Sequence, residues 1–394
     1  MSTGSGIAKL EWVKEHMPVV ARLVQDLAAS GELKGRRIGF SSHLEAKVAR
    51  TIEALRDCGA QVLVVASNPA TTQPDVLEYV RSLDNVQVFS ELGEAGAQRR
   101  ANIRAALEAG PEVCIDDGAT LSAEMPDAGL TNGCGVCEQT TSGLLALRRR
   151  PIGFPVYAVN DTIMKSLFDN EHGTGESTLS NLLSMGNIAL AGKTLAVIGY
   201  GRCGAGIANK AQALGARVLV VEVEPRRALA AHLRGMTVLP LNTALAQADI
   251  SITATGEPNA IPEASLGAVR DGAMLANVGH FADEIATGPL LRQAQEQPYR
   301  GISRCRMSDG RTLYLLSAGE AVNLAGDLAM GHPVEIIDVT MGLLFAGAAD
   351  LLRHRDQLAG GVHDLPDRVD LKIAQLKLEA LGIRVQERPE PIEI

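Results

Sequence analysis

The stretch Thr194–Glu224, TLAVIGYGRCGAGIANKAQALGARVLVVEVE, contains the pattern that decides the fold. An apolar run in it is followed by Gly199, Gly201 and Gly204, which have the G-x-G-x-x-G spacing. A helical pattern and a second apolar run come next, and that run ends at Glu222. Such glycines permit a tight turn and close approach of a pyrophosphate to the backbone, while the helix N-terminus binds phosphate. The order of strand, glycine turn, helix, strand and acid therefore predicts a dinucleotide-binding Rossmann unit.

Acidic side chains after the second strand indicate which dinucleotide is bound. Glu222 lies about 20 residues after Gly199, where an acid accepts hydrogen bonds from the ribose hydroxyls of the adenosine half. Glu222 and Glu224 would repel a 2′-phosphate, which favours NAD. Arg226 and Arg227 follow directly, and they leave NADP as the alternative.

Composition restricts the class of protein. A chain of 394 residues with 46% hydrophobic residues and 40 glycines is typical of a compact α/β enzyme of two or three domains. The net charge is −9 and no basic cluster has aromatic residues interleaved, so no nucleic-acid partner is expected. No apolar run approaches the about 18 residues of a membrane span, and the first residues do not resemble a signal peptide. We therefore expect a cytoplasmic protein without a membrane partner.

Six cysteines are scattered along the chain, and two of them, Cys134 and Cys137, form a C-x-x-C motif. No second cysteine pair or histidine pair follows at zinc spacing, so no metal site is predicted. The motif is either a redox pair or, as we favour, two reduced cytosolic thiols.

Strand and helix patterns alternate over residues 37–116, which predicts an open parallel sheet. Ligands bind such sheets at the carboxyl ends of the strands. His43 follows the strand at 37–40, and Asp117 follows the strand at 112–115. A single histidine at a strand end is more often packed or solvated than functional. Two ionisable groups at the same edge nevertheless make His43 and Asp117 candidate catalytic residues.

Two polar segments allow both a structural and a functional interpretation. Thr140, Thr141 and Ser142 are small hydroxyl residues of the kind that commonly caps a helix. Lys165 and Asp169 have the i, i+4 spacing that brings two side chains to one helix face. On the surface such a pair contributes little, whereas in a cleft a desolvated lysine beside a carboxylate can serve as an acid or base. Both interpretations stay open at this point.

The predicted fold class is α/β, with two doubly wound parallel-sheet (Rossmann-like) domains and a short C-terminal helical tail. One packing helix is predicted over residues 7–29 and one amphipathic helix over residues 365–383. The domain boundaries are placed at residues 1–175 and 332–356 for a substrate-binding domain, 176–331 for the NAD-binding domain and 357–394 for the tail.

A series of short motifs runs in order through nearly the whole chain: His43-Leu-Glu-Ala-Lys47, Asp116-Asp-Gly118, Glu138-Gln-Thr-Thr141, Val159-Asn-Asp161, Lys165-Ser-Leu-Phe-Asp-Asn170, Gly173-Thr-Gly-Glu-Ser177, Gly199-Tyr-Gly201, Gly279-His-Phe281, Val322-Asn-Leu324 and Gly331-His-Pro333. Together they resemble the adenosylhomocysteinase family, and most of all its shorter bacterial and archaeal branch. An ordered set of this length is far more specific than one glycine triplet. The chain is therefore identified as a member of that family, and its sequence departs from the family pattern at several places.

The resemblance implies tightly held NAD that is used and regenerated within each turnover. In that reaction NAD oxidises the 3′-hydroxyl of an adenosine moiety, a base removes the acidified C4′ proton, and the 5′ substituent leaves by β-elimination. Water then adds at C5′ and the ketone is reduced again. The resemblance also implies a small-molecule adenine nucleoside as substrate and a homo-oligomer, either a dimer or a tetramer.

The resemblance further implies roles for single residues. Lys165 and Asp169 would lie at the 3′-oxygen, where Lys165 helps to remove the hydroxyl proton. His43 and Asp117 would lie near C4′ and C5′ and handle the C4′ proton and the leaving group or water. Predicted substrate contacts are Glu45, Gln139, His280 and His332, the last on the loop that gates the substrate. Predicted cofactor contacts are Thr140, Thr141, Ser142, Asn170, Gly199, Gly201, Gly204, Glu222, Arg227, Gly279, His280 and Asn323.

The chain departs from the family pattern at four places, three of which fall where substrate or cofactor is touched. Gln139 stands where the family has a glutamate that touches the ribose hydroxyls, and an amide cannot act as a base. Ala119-Thr120 replaces a Gly-Asp pair and so removes a carboxylate. The spacing from Asn323 to His332 is two residues longer, and nothing after Leu365 matches the tail that reaches a neighbouring subunit's NAD. These changes predict that the chain keeps the redox chemistry of the family but acts on a different substrate.

Three hypotheses follow for the activity. In the first, the chain dehydrates a free adenine nucleoside to a 4′,5′-unsaturated product, as in nucleoside-antibiotic-type metabolism. In the second, it hydrolyses S-adenosylhomocysteine and tolerates Gln139. In the third, it is a non-catalytic NAD-binding partner of a true hydrolase, but the presence of His43, Asp117, Lys165 and Asp169 argues against that. We favour the first.

Overall fold

A computed structural model describes residues 3–129, 133–279, 282–294, 299–326 and 328–386. Its strands form two seven-stranded sheets. The strands are β1 Arg37–Ser42, β2 Gln61–Ala66, β3 Val86–Val88, β4 Val113–Asp116, β5 Gly135–Glu138, β6 Pro155–Ala158, β7 Thr194–Ile198, β8 Arg217–Val221, β9 Thr237–Val238, β10 Ile250–Thr253, β11 Met274–Asn277, β12 Ile302–Arg306, β13 Thr312–Leu316 and β14 Gly361–Asp364.

Helices cover the faces of both sheets. They are α1 Thr3–Glu15, α2 Pro18–Ser30, α3 Ala46–Asp57, α4 Pro74–Ser82, α5 Gly96–Glu108, α6 Thr141–Arg148, α7 Thr174–Gly186, α8 Arg202–Ala213, α9 Pro225–Leu233, α10 Leu241–Leu245, α11 Thr287–Leu291, α12 Val334–His354 and α13 Asp367–Ala380. A π-helix, Lys165–Gly173, leads into α7. Within the described ranges, no helix is both long enough and apolar enough to cross a bilayer.

The first sheet has the strand order β3-β2-β1-β4-β5-β6-β14, and all of its pairings are parallel. Parallel sheets are covered on both faces, which is why β2 is a continuous apolar run with only Gln61 exposed. The chain runs outward in one direction from β1 and in the other from β4. The carboxyl ends of β1 and β4 therefore meet at the switch point where doubly wound sheets bind ligands.

The second sheet has the order β9-β8-β7-β10-β11-β13-β12. Its pairings are parallel except for β12, which runs antiparallel to β13. The switch point lies between β7 and β10, and the glycine turn at Gly199 follows β7. The predicted fold class, with two doubly wound sheets, is confirmed.

The predicted helix over residues 7–29 is wrong, because the chain breaks at Pro18 into α1 and α2. Proline has no N–H and cannot continue a helix, but it is well suited to the first position of the next one. The backbone N–H groups of Val19 and Val20 donate to the Asp338 carboxylate of α12 at 3.2 and 3.1 Å. A distant residue thus caps α2.

The segment predicted as a separate helical tail is part of the first sheet's unit. Its strand β14, which the sequence did not predict, pairs with β6, and its helix α13 is shorter than the predicted 365–383. Val369 and Ile373 of α13 are buried in the core of that unit. The α13 side chain of Lys377 donates to Asp338 at 3.1 Å. Strand pairing and core packing therefore dock this segment onto the first sheet.

Candidate active site

His43 and Asp117 come together at the switch point of the first sheet. His43 directly follows β1 and Asp117 directly follows β4, and these strands are hydrogen-bonded neighbours. The His43 Nε2 atom lies 3.6 Å from Asp117 Oδ2. Asp117 is 1% exposed, whereas His43 is only partly buried. The structure therefore places an imidazole and a buried carboxylate at the edge where a parallel sheet binds its ligands.

Two serines at strand ends hold the Asp117 carboxylate. Ser42 Oγ and Ser67 Oγ donate to Asp117 Oδ2 at 3.4 and 3.2 Å. Gln139, which follows β5, donates from Nε2 to Ser42 Oγ at 3.2 Å. The Oε1 atom of Gln139 is buried and accepts no hydrogen bond from the described residues. Burying an acceptor without a donor costs free energy. The Oε1 atom of Gln139 is therefore an acceptor that a ligand's donor could reach beside Asp117.

Glu138, the acid before Gln139, has a structural role that the sequence did not predict. Its buried carboxylate accepts the backbone N–H groups of Gly118 at 3.1 Å, Ala119 at 2.9 Å and Thr140 at 2.9 Å. Burial raises the pKa of Glu138 well above its ordinary value, and the neighbouring Asp116 carboxylate raises it further. Glu138 thereby fixes the loop that carries Asp117.

The threonines after Glu138 have the structural role that the sequence left open. Thr140 Oγ1 accepts the N–H of Gly143 at 3.0 Å and so caps α6. Ser142 Oγ donates to Thr140 Oγ1 at 3.3 Å. Thr141 Oγ1 accepts from Asn160 Nδ2 at 3.0 Å. These hydroxyls therefore organise the start of α6, and their contact with a cofactor stays a prediction.

Lys165 and Asp169 form a buried ion pair and not a surface one. Lys165 Nζ lies 2.6 Å from Asp169 Oδ1, and the two residues are 6% and 2% exposed. They lie in the π-helix, where the N–H of Thr174 donates to the carbonyl of Asp169, five residues earlier. Insertions of this type occur frequently at functional sites. The interpretation as an exposed pair is therefore excluded.

The Asp169 carboxylate is held as an anion by three partners. His332 Nδ1 lies 3.2 Å from Oδ1, and Thr340 of α12 donates to Oδ2 at 2.7 Å. Burial alone would raise the pKa of Asp169, but the Lys165 ammonium and His332 outweigh it and hold this pKa well below its ordinary value. Asp169 therefore stays ionised and orients Lys165; it is not a base at neutral pH.

Asparagine side chains connect Lys165 to the glycine loop of the second sheet. Lys165 Nζ donates to Asn170 Oδ1 at 3.0 Å, and Asn170 Nδ2 donates to Asn160 Oδ1 at 3.2 Å. Arg202, the first residue of α8 after the glycine turn, donates to the carbonyl of Asn160 at 2.9 Å. The candidate acid–base pair and the candidate nucleotide site are thus neighbours across the two sheets.

The glycine loop has the geometry that the sequence predicts. Gly199 has φ 94°, in the left-handed region, and a side chain at Gly204 would overlap the carbonyl oxygen of Gly199. A Cβ at Gly201 would meet only Arg227 Nη1, 3.8 Å away. Open space above a backbone N–H, beside a guanidinium and at the start of α8, fits a pyrophosphate.

Acidic residues follow β8 beside the candidate nucleotide site. Glu222 accepts the N–H groups of Tyr200 and Val223, both at 2.7 Å, so its carboxylate is fixed beside the glycine turn. Glu224 pairs with Arg226 at 2.7 Å. Asn323 Oδ1, in the second sheet's unit, is buried and has no partner among the described residues. These groups fit the ribose and amide groups of NAD.

The remaining predicted site residues are Glu45, Gly279 and His280. Glu45 caps α3 by accepting from Lys47 N and Val48 N at 3.2 and 3.3 Å. Lys47 Nζ lies 2.7 Å from Glu45 Oε2 and donates to the Met330 carbonyl at 2.7 Å, so it anchors the segment before His332. Gly279 donates to Asn277 Oδ1 at 2.8 Å. His280, predicted to touch both substrate and cofactor, lies outside the described residues.

A cleft of about 670 Å³ lies beside the segment that carries His332. Its walls include the loop at Glu45–Lys47, the start of α7, and residues 328–334. His43, Asp117, Lys165 and Asp169 are not among its lining residues, so this cleft does not contain the candidate acid–base pairs. Roles for Lys47, Thr340, Ser42 and Ser67 were not predicted from the sequence, because their contacts come from distant parts of the chain.

The cysteines have no metal-binding geometry. No cluster of three or more potential ligands occurs in the residues that the structure describes. Cys134 lies against Cys114, with their sulfur atoms 3.8 Å apart. Burial raises the pKa of the Cys137 thiol strongly. A protonated, buried thiol is a poor nucleophile and a poor ligand.

Comparison with known proteins agrees with this geometry. A family model described as "S-adenosyl-L-homocysteine hydrolase" matches residues 2–134, and one described as "S-adenosyl-L-homocysteine hydrolase, NAD binding domain" matches residues 170–329. The adenosylhomocysteinase of Thermococcus kodakarensis is 40% identical over 98% of this chain and 93% of its own length. The S-inosyl-L-homocysteine hydrolase of Methanothermobacter thermautotrophicus is 39% identical over 98% and 94%. The adenosylhomocysteinase of Thermotoga maritima is 38% identical over 99% and 98%.

The NAD-binding model covers the glycine loop, Glu222 and Asn323, so the cofactor is NAD. Similarity at this level extends over both sheets and both candidate acid–base pairs. The chain is an NAD-dependent enzyme of the S-adenosyl-L-homocysteine hydrolase family.

Proposed function

We propose that this enzyme oxidises the 3′-hydroxyl of a purine nucleoside, removes the C4′ proton and eliminates the substituent at C5′. The buried pair Lys165–Asp169 next to the glycine loop carries this proposal. It puts the Lys165 Nζ atom, held by a carboxylate 2.6 Å away, next to the nucleotide loop, where Lys165 as the neutral amine would accept the proton of the 3′-hydroxyl and as the ammonium would return it when the ketone is reduced. Oxidation of a hydroxyl requires a proton acceptor at this place.

Bound NAD would accept the hydride from C3′. The residues that fit it are the glycines of the loop for the pyrophosphate, Glu222 for the adenosine ribose, and Asn323 through its unpartnered Oδ1. Lys165 Nζ exchanges a proton with the 3′-oxygen. Asp169 keeps its charge and keeps Lys165 in place, while Thr340 and His332 hold Asp169.

His43 and Asp117 act on the adjacent carbons. A ketone at C3′ acidifies the C4′ hydrogen, and His43 Nε2 is the basic atom at the switch point of the first sheet. Asp117 stabilises the imidazolium that forms, since its carboxylate lies 3.6 Å from Nε2 and is itself held by two serines. The same pair then supplies a proton to the group that leaves C5′.

We expect the purified enzyme to contain NAD, and Glu222→Ala to weaken its retention. Losing a hydrogen bond to a charged group costs about 1.5–3 kcal/mol, which corresponds to roughly tenfold or more in affinity. Glu224→Gln is the matched control, because Glu224 caps α9 and pairs with Arg226. Calorimetric titration of nucleotide-free protein measures the effect, and a wild type that ignores added NAD would contradict the assignment.

The substrate we propose is a free adenine nucleoside, which loses its 5′-hydroxyl as water. Gln139 supports this choice, since a neutral amide here presents one unpartnered acceptor where a carboxylate would add negative charge beside Asp117. A site with a fixed polar pattern penalises a substrate that leaves it unpaired by about 1–3 kcal/mol for each buried group.

The second candidate is hydrolysis of a purine nucleoside thioether such as S-adenosylhomocysteine or S-inosylhomocysteine. The observation in its favour is the 38–40% identity to relatives that carry those names. The chemistry at C3′ and C4′ would be the same. Only the leaving group and the addition of water would differ.

Mass spectrometry of the products separates these candidates. The enzyme is incubated with adenine nucleosides, with S-adenosylhomocysteine and with S-inosylhomocysteine in parallel. A product lighter than a free nucleoside by one water supports dehydration. Release of homocysteine with kcat/KM above that for every free nucleoside overturns the dehydratase proposal and supports the second candidate.

Gln139→Glu is expected to shift the preference toward the thioethers. The substitution restores a carboxylate that accepts two ribose hydroxyl hydrogen bonds, and we expect the ratio of kcat/KM values to move by roughly tenfold, one such bond. Gln139→Asn, which keeps the amide but shortens it, is the control. A ratio that moves equally in both variants would show that Gln139 does not select the substrate.

We also propose that the enzyme is a homo-oligomer. Trp12, Leu214 and Met330 are 59%, 48% and 69% exposed and line one cleft, which is unusual for large apolar side chains of a monomer. Light scattering at several protein concentrations measures the mass. A monomer at every concentration would refute this proposal.

A further inference from the structure

His43 has a hydrogen-bond partner that the proposed reaction does not use. Its Nδ1 atom lies 2.7 Å from the hydroxyl oxygen of Thr71. Thr71 is 6% exposed and ends the short helical turn Pro69–Thr71, which follows β2. This turn therefore reaches the switch point from the strand that neighbours β1.

The hydroxyl of Thr71 has only one proton to donate, and it donates that proton to a backbone carbonyl and not to His43. Thr71 Oγ1 donates to the carbonyl oxygen of Asn68 at 2.9 Å. A hydroxyl that donates there has its lone pairs free for His43, so it accepts and Nδ1 carries the proton. The other ring nitrogen, Nε2, is then the basic atom, and it is the atom that faces Asp117.

The turn is fixed from both halves of the molecule. Asn68 Oδ1 accepts the N–H of Ala70 at 2.9 Å, and Asn68 Nδ2 donates to Glu320 Oε2 at 3.1 Å. Glu320 follows β13 in the second sheet's unit. The position of the Thr71 hydroxyl is thus set by contacts that do not depend on a bound nucleoside.

We propose that Thr71 is a positioning residue that keeps the proton of His43 on Nδ1 and so presents Nε2 as the base for the C4′ proton. In the step that depends on it, the C4′–H bond breaks, the Nε2–H bond forms, and the electron pair stays on C4′, conjugated with the C3′ ketone. The inference rests on the function proposed for His43. A purely structural role for Thr71, as a cap of its own turn, is the competing explanation.

Thr72 provides a matched control for that explanation. Its hydroxyl donates to the same Asn68 carbonyl, at 3.3 Å. Removing the Thr72 hydroxyl therefore tests the effect of the turn, and removing the Thr71 hydroxyl tests the turn and the histidine together. Thr71→Val keeps the shape of the side chain, Thr71→Ser keeps its hydroxyl, and Thr71→Ala is a second hydroxyl-free variant should Thr71→Val not fold.

The experiment measures two partial reactions of the NAD-loaded enzyme in D₂O with an adenine nucleoside. Reduction of bound NAD, followed by absorbance, reports oxidation at C3′. Incorporation of deuterium at C4′ reports proton abstraction by His43. We expect Thr71→Val to keep NAD content, KM and the amplitude of NAD reduction, and to exchange C4′ hydrogen about 10- to 100-fold more slowly, part of the 10²–10⁴-fold that a positioned base contributes. Thr71→Ser should recover most of the rate, and Thr72→Val should match the wild type.

The outcomes separate the inference from the function on which it rests. A wild type that reduces its NAD but never exchanges C4′ hydrogen refutes the proposed role of His43. A wild type that exchanges, with Thr71→Val and Thr72→Val equally fast, refutes the role of Thr71. Loss of both partial reactions to the same degree in Thr71→Val, without recovery in Thr71→Ser, also refutes it and supports the structural explanation.

Discussion

Replacement of Lys165 by alanine, or of Asp169 by asparagine, is expected to abolish the reduction of bound NAD when substrate is added. The two side chains are 2.6 Å apart and buried, and the loss of a positioned acid–base group lowers a rate by about 10²–10⁴-fold. Asp169 retains Thr340 and His332 as partners when Lys165 is removed, so we expect the Lys165→Ala variant to fold. The absorbance of the reduced cofactor measures the effect.

Arg22→Ala is the matched control for this prediction. Arg22 and Asp26 form an exposed i, i+4 pair with 3.4 Å between Nε and Oδ1, and such a pair is worth about 0.5 kcal/mol or less. Its loss should leave NAD reduction unchanged. If either Lys165→Ala or Asp169→Asn reduces NAD as fast as this control, the pair lies outside the reaction.

Replacement of Asp338 by alanine should produce the largest loss of stability. Asp338 is fully buried, accepts the N–H groups of Val19 and Val20, and pairs with Lys377. Its removal leaves a buried ammonium without its partner, and breaking a buried pair in this way costs about 3–5 kcal/mol. The urea midpoint of unfolding measures the change.

Asp367→Ala is the control, because Asp367 is an exposed acid in the first turn of α13 and should cost about 0.3–1 kcal/mol. Adding Lys377→Met to Asp338→Ala should recover part of the loss, since no unpaired charge then stays buried. Equal midpoints for Asp338→Ala and Asp367→Ala would show that the C-terminal segment is not docked by this contact.

The parts of the fold that the sequence predicts are those that local chemistry determines. The apolar run of β7, the glycines at 199, 201 and 204, and the acid at 222 form one continuous pattern whose geometry follows from its residues. His43 and Asp117 were found in the same way, because parallel strands bring their carboxyl ends to a single edge. Once the parallel sheet is recognised, two residues that follow neighbouring strands are predicted to lie close together, however far apart they are in the sequence.

The parts that the sequence does not predict depend on tertiary contacts. Strand β5 has a glycine, a cysteine and a buried acid, and it is a strand because β4 and β6 pair with it on both sides. Glu138 is buried there only because three backbone N–H groups converge on it. Helix α12 supplies Thr340 to Asp169, from a position that the pattern of a buried apolar helix gives no reason to single out.

The π-helical hydrogen bonding of residues 165–173 is another feature that the sequence does not predict. Its residues have ordinary helical periodicity, and Lys165 and Asp169 were predicted at i, i+4 on an α-helix. In the observed geometry Asn170, five residues after Lys165, also reaches its Nζ at 3.0 Å. Packing against α8 and α12 selects this conformation, and the same packing buries the pair.

Oxidation at C3′ by bound NAD is tested most directly by following the hydrogen at C3′. Wild-type enzyme is mixed with an adenine nucleoside that carries deuterium at C3′, the reaction is stopped during turnover, and the cofactor is extracted for mass spectrometry. If NAD takes the C3′ hydride, part of the bound NAD is recovered in the reduced form and carries the deuterium, and Lys165→Ala yields only oxidised, unlabelled NAD. Product that accumulates while the wild-type cofactor stays oxidised and unlabelled would contradict oxidation at C3′ by NAD.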